Sequence, residues 1–214
     1  MKNKFIGGFA AALLAASVFS SAAHANLIVN GSFEADLQAP GTFSIPANLA
    51  GWVGGVGGIE LRNNLAGAAF DGLNFIELDG FGNGSASQSI ATTLLGQVYA
   101  LSFAYSTREG VAASSNGIEA FWNGASLGIF MGAGAPIVGG LGGGNVWTVQ
   151  NFFVTGTGAG DTLRFNAVGT SDQFGGGLDA ISLIAAATAV PEPTTLALLA
   201  LGLAGLGFST RKKA

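Results

Sequence analysis

Between positions 98 and 105 the chain alternates strictly, with Tyr99, Leu101, Phe103 and Tyr105 on one side and Val98, Ala100, Ser102 and Ala104 on the other. A period of two marks a half-buried β-strand, because successive side chains leave a pleated backbone on opposite faces. Shorter runs of this kind occupy 27–33, 58–62, 74–79, 86–91, 118–122, 127–130, 146–154, 163–168 and 178–184, with glycine-bearing turns between them. No stretch between these runs keeps a helical period, and no segment recurs at a fixed spacing. The body of the chain is therefore expected to be all-β, a single antiparallel β-sandwich of about eight to ten short strands, not a propeller or solenoid. Asn123-Gly124 reads as a hairpin turn, since both residues tolerate positive φ. The glycine-rich stretch 132–144 is followed by neither Lys-Ser/Thr nor a helix start, so it reads as a surface loop and not as a phosphate cradle.

The two ends read as sorting information. Lys2 and Lys4 precede an apolar run over 5–19, and Ala23-His24-Ala25 supplies small residues in the A-x-A pattern of a secretory signal. Residues 1–25 are thus expected to be removed, with Ala23 and Ala25 directing the cut, which leaves a domain over 26–189. The tail over 190–214 begins Val190-Pro191-Glu192-Pro193, continues as an apolar run from 194 to 210, and ends in Arg211-Lys212-Lys213. As a transmembrane helix those apolar residues extend about 25 Å, just enough to cross a hydrocarbon core of about 30 Å with some thinning. The basic end stays on the cytoplasmic side, which puts the β domain outside. Pro191 and Pro193 hold the segment ahead of the membrane extended, and Glu192 keeps it at the water-facing boundary.

Pro-Glu-Pro, an apolar helix and a short basic end, in that order, resemble the PEP-CTERM sorting signal of Gram-negative bacteria. The resemblance covers 190–214 and implies recognition by an exosortase, a membrane transpeptidase that cuts at Pro191-Glu192-Pro193, in organisms that also make exopolysaccharide. The implied route is export, anchoring in the inner membrane through the tail helix, then cutting and delivery to the cell surface or the medium. The alternative is an ordinary tail anchor with a chance Pro-Glu-Pro.

Composition narrows the chemistry. Over 26–190, eleven carboxylates face three arginines, Arg62, Arg108 and Arg164, so the formal balance is three positive against eleven negative, or −8. No basic patch can be built, and nucleic-acid binding is excluded as a reading. The one histidine leaves with the signal, no lysine lies between Lys4 and Lys212, and there is no cysteine. Triads, thiol nucleophiles, Schiff bases and imidazole zinc sites therefore have no residues to use. A carboxylate glycoside hydrolase needs only two acids, and Glu60, Glu77 and Glu119 keep that reading open. Acids alternating with apolar residues are otherwise expected on a solvated sheet face.

The segments 26–34, Gly51-Trp52, 75–80 and 179–183 resemble galactose-binding-like jelly rolls, a fold shared by many carbohydrate-binding modules. In that fold the first and last strands lie together and a structural calcium often sits where they meet, and the matching acids here are Glu34 and Asp179. Calcium takes oxygen ligands alone, so the missing histidine is no obstacle. The alternative is that the two acids simply flank turns. Sugar-binding modules stack rings on exposed aromatics, and the candidates are Trp122, Trp52 and Trp147, with Arg108, Glu109, Asn116 and Glu119 near the first in sequence. Trp52, after a glycine, fits core packing better, and no ligand pocket is assigned.

Three functions follow for testing. The leading one is an exported, non-catalytic cell-surface or matrix protein that binds glycan in association with exopolysaccharide or biofilm. The others are a calcium-linked structural matrix protein without a small ligand, and a glycoside hydrolase. In cells that hold the processing enzyme, a pulse-chase should show loss of the basic tail, and Glu192→Ala should slow that loss. A mature wild-type protein that keeps Arg211 to Lys213 would contradict the sorting reading.

Overall fold

A computed structural model describes residues 25–137 and 144–186. Residues 1–24 with Ala23, the Pro191-Glu192-Pro193 motif and the apolar tail lie outside the described residues, and Ala25 is the first described residue. Among the described residues no helix is long and apolar enough to cross a membrane.

Among the described residues there are twelve strands: β1 (Phe43–Ser44), β2 (Asn48–Leu49), β3 (Trp52–Gly54), β4 (Glu60–Asn63), β5 (Asn74–Glu77), β6 (Ser85–Ile90), β7 (Val98–Thr107), β8 (Gly117–Trp122), β9 (Ala125–Phe130), β10 (Val146–Thr155), β11 (Asp161–Val168) and β12 (Gly177–Ala185). They form two antiparallel six-stranded sheets, ordered β1-β4-β5-β12-β7-β10 and β2-β3-β6-β11-β8-β9. The described residues thus form an all-β sandwich, as the alternation implies, with the jelly-roll fold of the resemblance. The strand over 98–105 extends to Thr107, and Tyr99, Leu101, Phe103 and Tyr105 all point into the core. Asn123 and Gly124, at φ 51° and 81°, make the two-residue turn of the β8–β9 hairpin.

The inner faces meet in one core. Phe103 contacts Phe165 edge-on at 4.9 Å across the sandwich, and Trp52 lies between Phe33 at 5.8 Å and Phe165 at 6.3 Å. Trp52 is buried, as its position after a glycine suggests, and its indole donates to the Asn30 carbonyl. Trp122 is buried too, donating to the Thr155 carbonyl.

The first run departs from expectation. Residues 27–33 form bends and turns, with Asn30 and Phe33 at positive φ, although they do lie along β12. Leu27 donates to Leu183, and Ile181 donates to Gly31. Side chains replace the rest of a ladder: Asn26 Oδ1 accepts from Ile28 and Leu183, and Gln88 bonds both the amide and the carbonyl of Val29. Gly31 is required here, because a Cβ would sit 2.0 Å from the Ile181 carbonyl oxygen.

The acids also depart from expectation. Glu60, Glu77, Asp79, Asp161 and Asp179 are buried and do not face solvent. Eight of the eleven carboxylates accept backbone N–H groups, most of them from loops: Glu34, Asp36, Glu77, Asp79, Glu109, Asp161, Asp172 and Asp179. A buried amide must find an acceptor, and a charged acceptor makes the stronger bond, net about 1.5–3 kcal/mol.

Trp52→Ala should cost about 3–5 kcal/mol in urea unfolding, since it opens a cavity between the sheets and strands the Asn30 carbonyl. A loss under about 1 kcal/mol would mean that the two sheets do not share this contact.

Candidate functional site

The outer face of the first sheet holds the charges. On β4, Leu61 points into the core, so Glu60 and Arg62 point the other way, and the register puts Glu77 of β5 opposite Glu60. Arg62 Nη2 lies 2.6 Å from Glu60 Oε1 and 3.0 Å from Glu77 Oε2, so one nitrogen bridges the two carboxylates. Arg108, arriving from the end of β7, approaches Glu77 Oε2 at 3.1 Å and donates to the Gln173 carbonyl. Glu60, Arg62 and Glu77 side chains are at most 4% exposed, whereas Arg108 is 19% exposed.

Loops cover this network. Gly175 N–H donates to Glu77 Oε1 at 2.6 Å, and Asp79 Oδ2 accepts from Asp172 and Gln173 at 3.0 and 3.1 Å, which folds 171–175 over the sheet. Asn116 fixes the 108–116 loop, accepting from Arg108 N–H and donating to three carbonyls. Between these loops and β1 lies a cleft of about 450 Å³ lined by Glu60, Arg62, Arg108, Asp172 and Gln173, with Phe43, Phe81 and Phe174 among its walls. Those three rings are 51%, 73% and 45% exposed, so they offer free faces. A second cleft of about 390 Å³ shares Arg108, Asp172 and Phe174 with the first. Arg108 stacks 4.5 Å over Phe174, so the pair forms the ridge between them. Arg62 Nε is buried without a hydrogen-bond partner among the described residues.

Burial pushes the Glu77 carboxyl up to about 7, against the pull of Arg62 and Arg108. The same burial lowers Arg108 from the ordinary arginine value, and Glu77 opposes that shift. Burial likewise drives Asp179 to about 7, while three backbone N–H groups hold it down.

Glu34 and Asp179 grip the same loop from two sides. Glu34 Oε1 accepts from Leu73 and Asn74 at 2.8 and 2.6 Å, and Asp179 Oδ2 accepts from Phe70 and Asp71 at 2.8 and 2.9 Å, with Oδ1 taking Ala180. These carboxylate oxygens accept backbone N–H groups, and among the described residues no group of three or more His, Cys, Asp or Glu side chains that could hold a metal ion is found.

The remaining sequence candidates scatter. Glu60 and Glu77 come together, but Glu119 lies on β8 in the other sheet, bonded to Ser126. Glu109 caps Gly144, and Trp147 packs edge-on against Phe70 and Phe75 with its indole N–H on Ala68. Sequence reasoning missed Arg62, Phe43, Phe81, Phe174 and Asp172. The one available sign was Glu60-Leu61-Arg62, two opposite charges on one strand face.

A sandwich of two six-stranded antiparallel sheets, with a loop-walled cleft on one outer face, is the class this geometry defines. Comparison with known proteins adds a sorting element and distant relatives. The PEP-CTERM protein-sorting motif matches residues 189–212. A multifunctional-autoprocessing repeats-in-toxin protein of Vibrio cholerae is 31% identical over 160 residues, 75% of this chain. The chain spans about 3% of the length of that protein and of its Vibrio vulnificus counterpart. A cyclase from Fischerella sp. TAU superposes with a TM-score of 0.52 at 15% identity, over 76% of this chain and 97% of the cyclase, and shows the shared fold. The module CBM61 in complex with beta-1,4-galactotriose gives a TM-score of 0.47 at 18% identity, over 76% of this chain and 99% of that one.

A carboxyl that titrates near 7 in the folded state and at 4.5 when exposed binds its proton more tightly when folded. Its contribution to stability is full below pH 4.5 and is lost as pH rises towards 7. Glu77→Gln should flatten the fall of urea-unfolding stability between about pH 5 and 7, by up to about 1.4 kcal/mol per pH unit. An unchanged slope would show that Glu77 titrates as an ordinary carboxylate.

Proposed function

We propose that this is an exported, exosortase-sorted surface or matrix protein whose sandwich binds glycan in the cleft above Glu60 and Arg62, without catalysis. One observation carries the reading: a cleft of about 450 Å³ whose floor pairs buried hydrogen-bonding charges and whose rim presents free aromatic faces. Sugars need both, because each ring has apolar C–H faces and a girdle of hydroxyls. The volume falls in the range of ligand sites, about 300–1,000 Å³. Glu60 and Asp172 balance Arg62 and Arg108 in the lining, so the cleft suits neutral sugars over phosphates or uronates. The sorting motif at 189–212 supports an exosortase as processing partner and an extracellular polysaccharide as the class of ligand within reach.

A second reading is favoured by one detail. Glu60 and Glu77 oxygens both lie within 3.0 Å of Arg62 Nη2, a carboxylate pair of the kind glycoside hydrolases use. Against it, Glu77 is bound by two arginines and an amide beneath the cleft floor, where no substrate reaches it.

A screen of neutral oligosaccharides followed by calorimetry tests the proposal. Phe81→Ala should weaken binding about tenfold, or about 1.4 kcal/mol, with an unchanged melting midpoint. Absence of binding to every glycan would sink the reading. Release of reducing sugar that stops in Glu77→Gln would replace it with the hydrolase.

A further inference from the structure

Sheet edges invite pairing, and three of the four edges here are blunted. β1 and β2 are two residues long, and β9 faces β8 through a register shift, with Gly128 at φ 141°. β10 is different. It pairs with β7 at ten consecutive positions without irregularity, and Val-Trp-Thr-Val-Gln-Asn-Phe-Phe-Val-Thr contains no charge, proline or glycine. It ends its sheet, and among the described residues no backbone hydrogen bond from a loop or turn reaches it, the Trp122 indole on the Thr155 carbonyl being a side-chain contact at its far end. Its outward side chains include Val149 and Phe153, 49% and 77% exposed.

We propose that this edge is where a second copy of the chain docks, β10 against β10, antiparallel about a two-fold axis through Asn151. Charge selects the occupant. The domain carries eleven carboxylates against three arginines, so two copies repel over most orientations, yet β10 and the opposing outward residues Ala100, Ser102 and Ala104 are uncharged. Two copies can meet here without bringing acids together. The sequence also fits itself at this register: Asn151 lies opposite its own copy, and Val149 lies opposite Phe153 on both sides of the axis. Odd-numbered residues meet odd-numbered ones, so the outer face stays outer across the junction, whereas a one-residue slip would set Phe153 against an inward position. Pairing over 147–155 adds roughly eight to ten backbone hydrogen bonds and turns two six-stranded sheets into one of twelve. A two-fold interface is closed, so pairing stops at the dimer.

The chain has no cysteine, so an introduced one is unique. Asn151→Cys in the exported protein should give a dimer band with a short bis-maleimide, about tenfold stronger than Val149→Cys alone. Mixing differently tagged Val149→Cys and Phe153→Cys copies should restore the band. Val149→Lys with Phe153→Lys should sediment as a monomer with an unchanged melting midpoint, which separates lost docking from lost folding. A monomeric wild-type protein at about 100 µM, Asn151→Cys that does not crosslink, or its crosslinking to a different protein would each overturn the proposal.

Discussion

Side-chain carboxylates that end the backbone N–H groups of loops hold this molecule in shape. The chain has no disulfide, and among its described residues no helix, so long connections must be fixed by something other than covalent bridges or helical packing. Asp179 takes Phe70 and Asp71, Asp79 takes Asp172 and Gln173, Glu77 takes Gly175, and Asp161 takes Thr157. All four acids lie on or next to strands, so rigid elements supply the acceptors and the loops supply the donors. The acidic balance of the domain is in large part this set of fasteners, not a solvated coat.

The cleft is a consequence of the same device. Loops drawn onto the outer face of the first sheet enclose Glu60, Arg62 and Glu77, and once water is excluded those charges must pair. Arg62 bridges the two glutamates, and Arg108 completes the neutralisation from the rim. Arg108 then leans on Phe174, whose loop is held by Asp79, so the ridge between the two clefts depends on amides several residues away. Cleft and fold are therefore not separable here: a change that frees 171–175 exposes the ion network and dissolves the wall of the cleft together.

Much of the sandwich was legible in the sequence because strand alternation is a local property. The run at 98–105 and the Asn123-Gly124 turn needed nothing beyond their own residues. The strands β1 to β3, two or three residues each, are too short to show a period. Residues 27–33 have the composition of a strand, but Asn26 and Gln88 side chains take over the ladder, and only tertiary contact reveals that. Acids in alternating strands look the same whether water or a folded-over loop lies above them. Spacing alone therefore does not tell Glu77 and Asp79 from solvent-facing acids, and it does not join Phe43 to Phe174 across the cleft. Glu34 and Asp179 flank the place where 27–31 runs beside β12, and there they clasp the loop at 70–74.

Native-state amide hydrogen exchange tests the central claim most directly. The account predicts that the Phe70, Asp71, Asp172, Gln173 and Gly175 amides exchange as slowly as core strand amides, and that Asp179→Asn speeds Phe70 and Asp71 while leaving Gly175 protected. Fast exchange at all five in the wild-type protein, with β7 and β12 still protected, would show that the loops are not fastened by carboxylates.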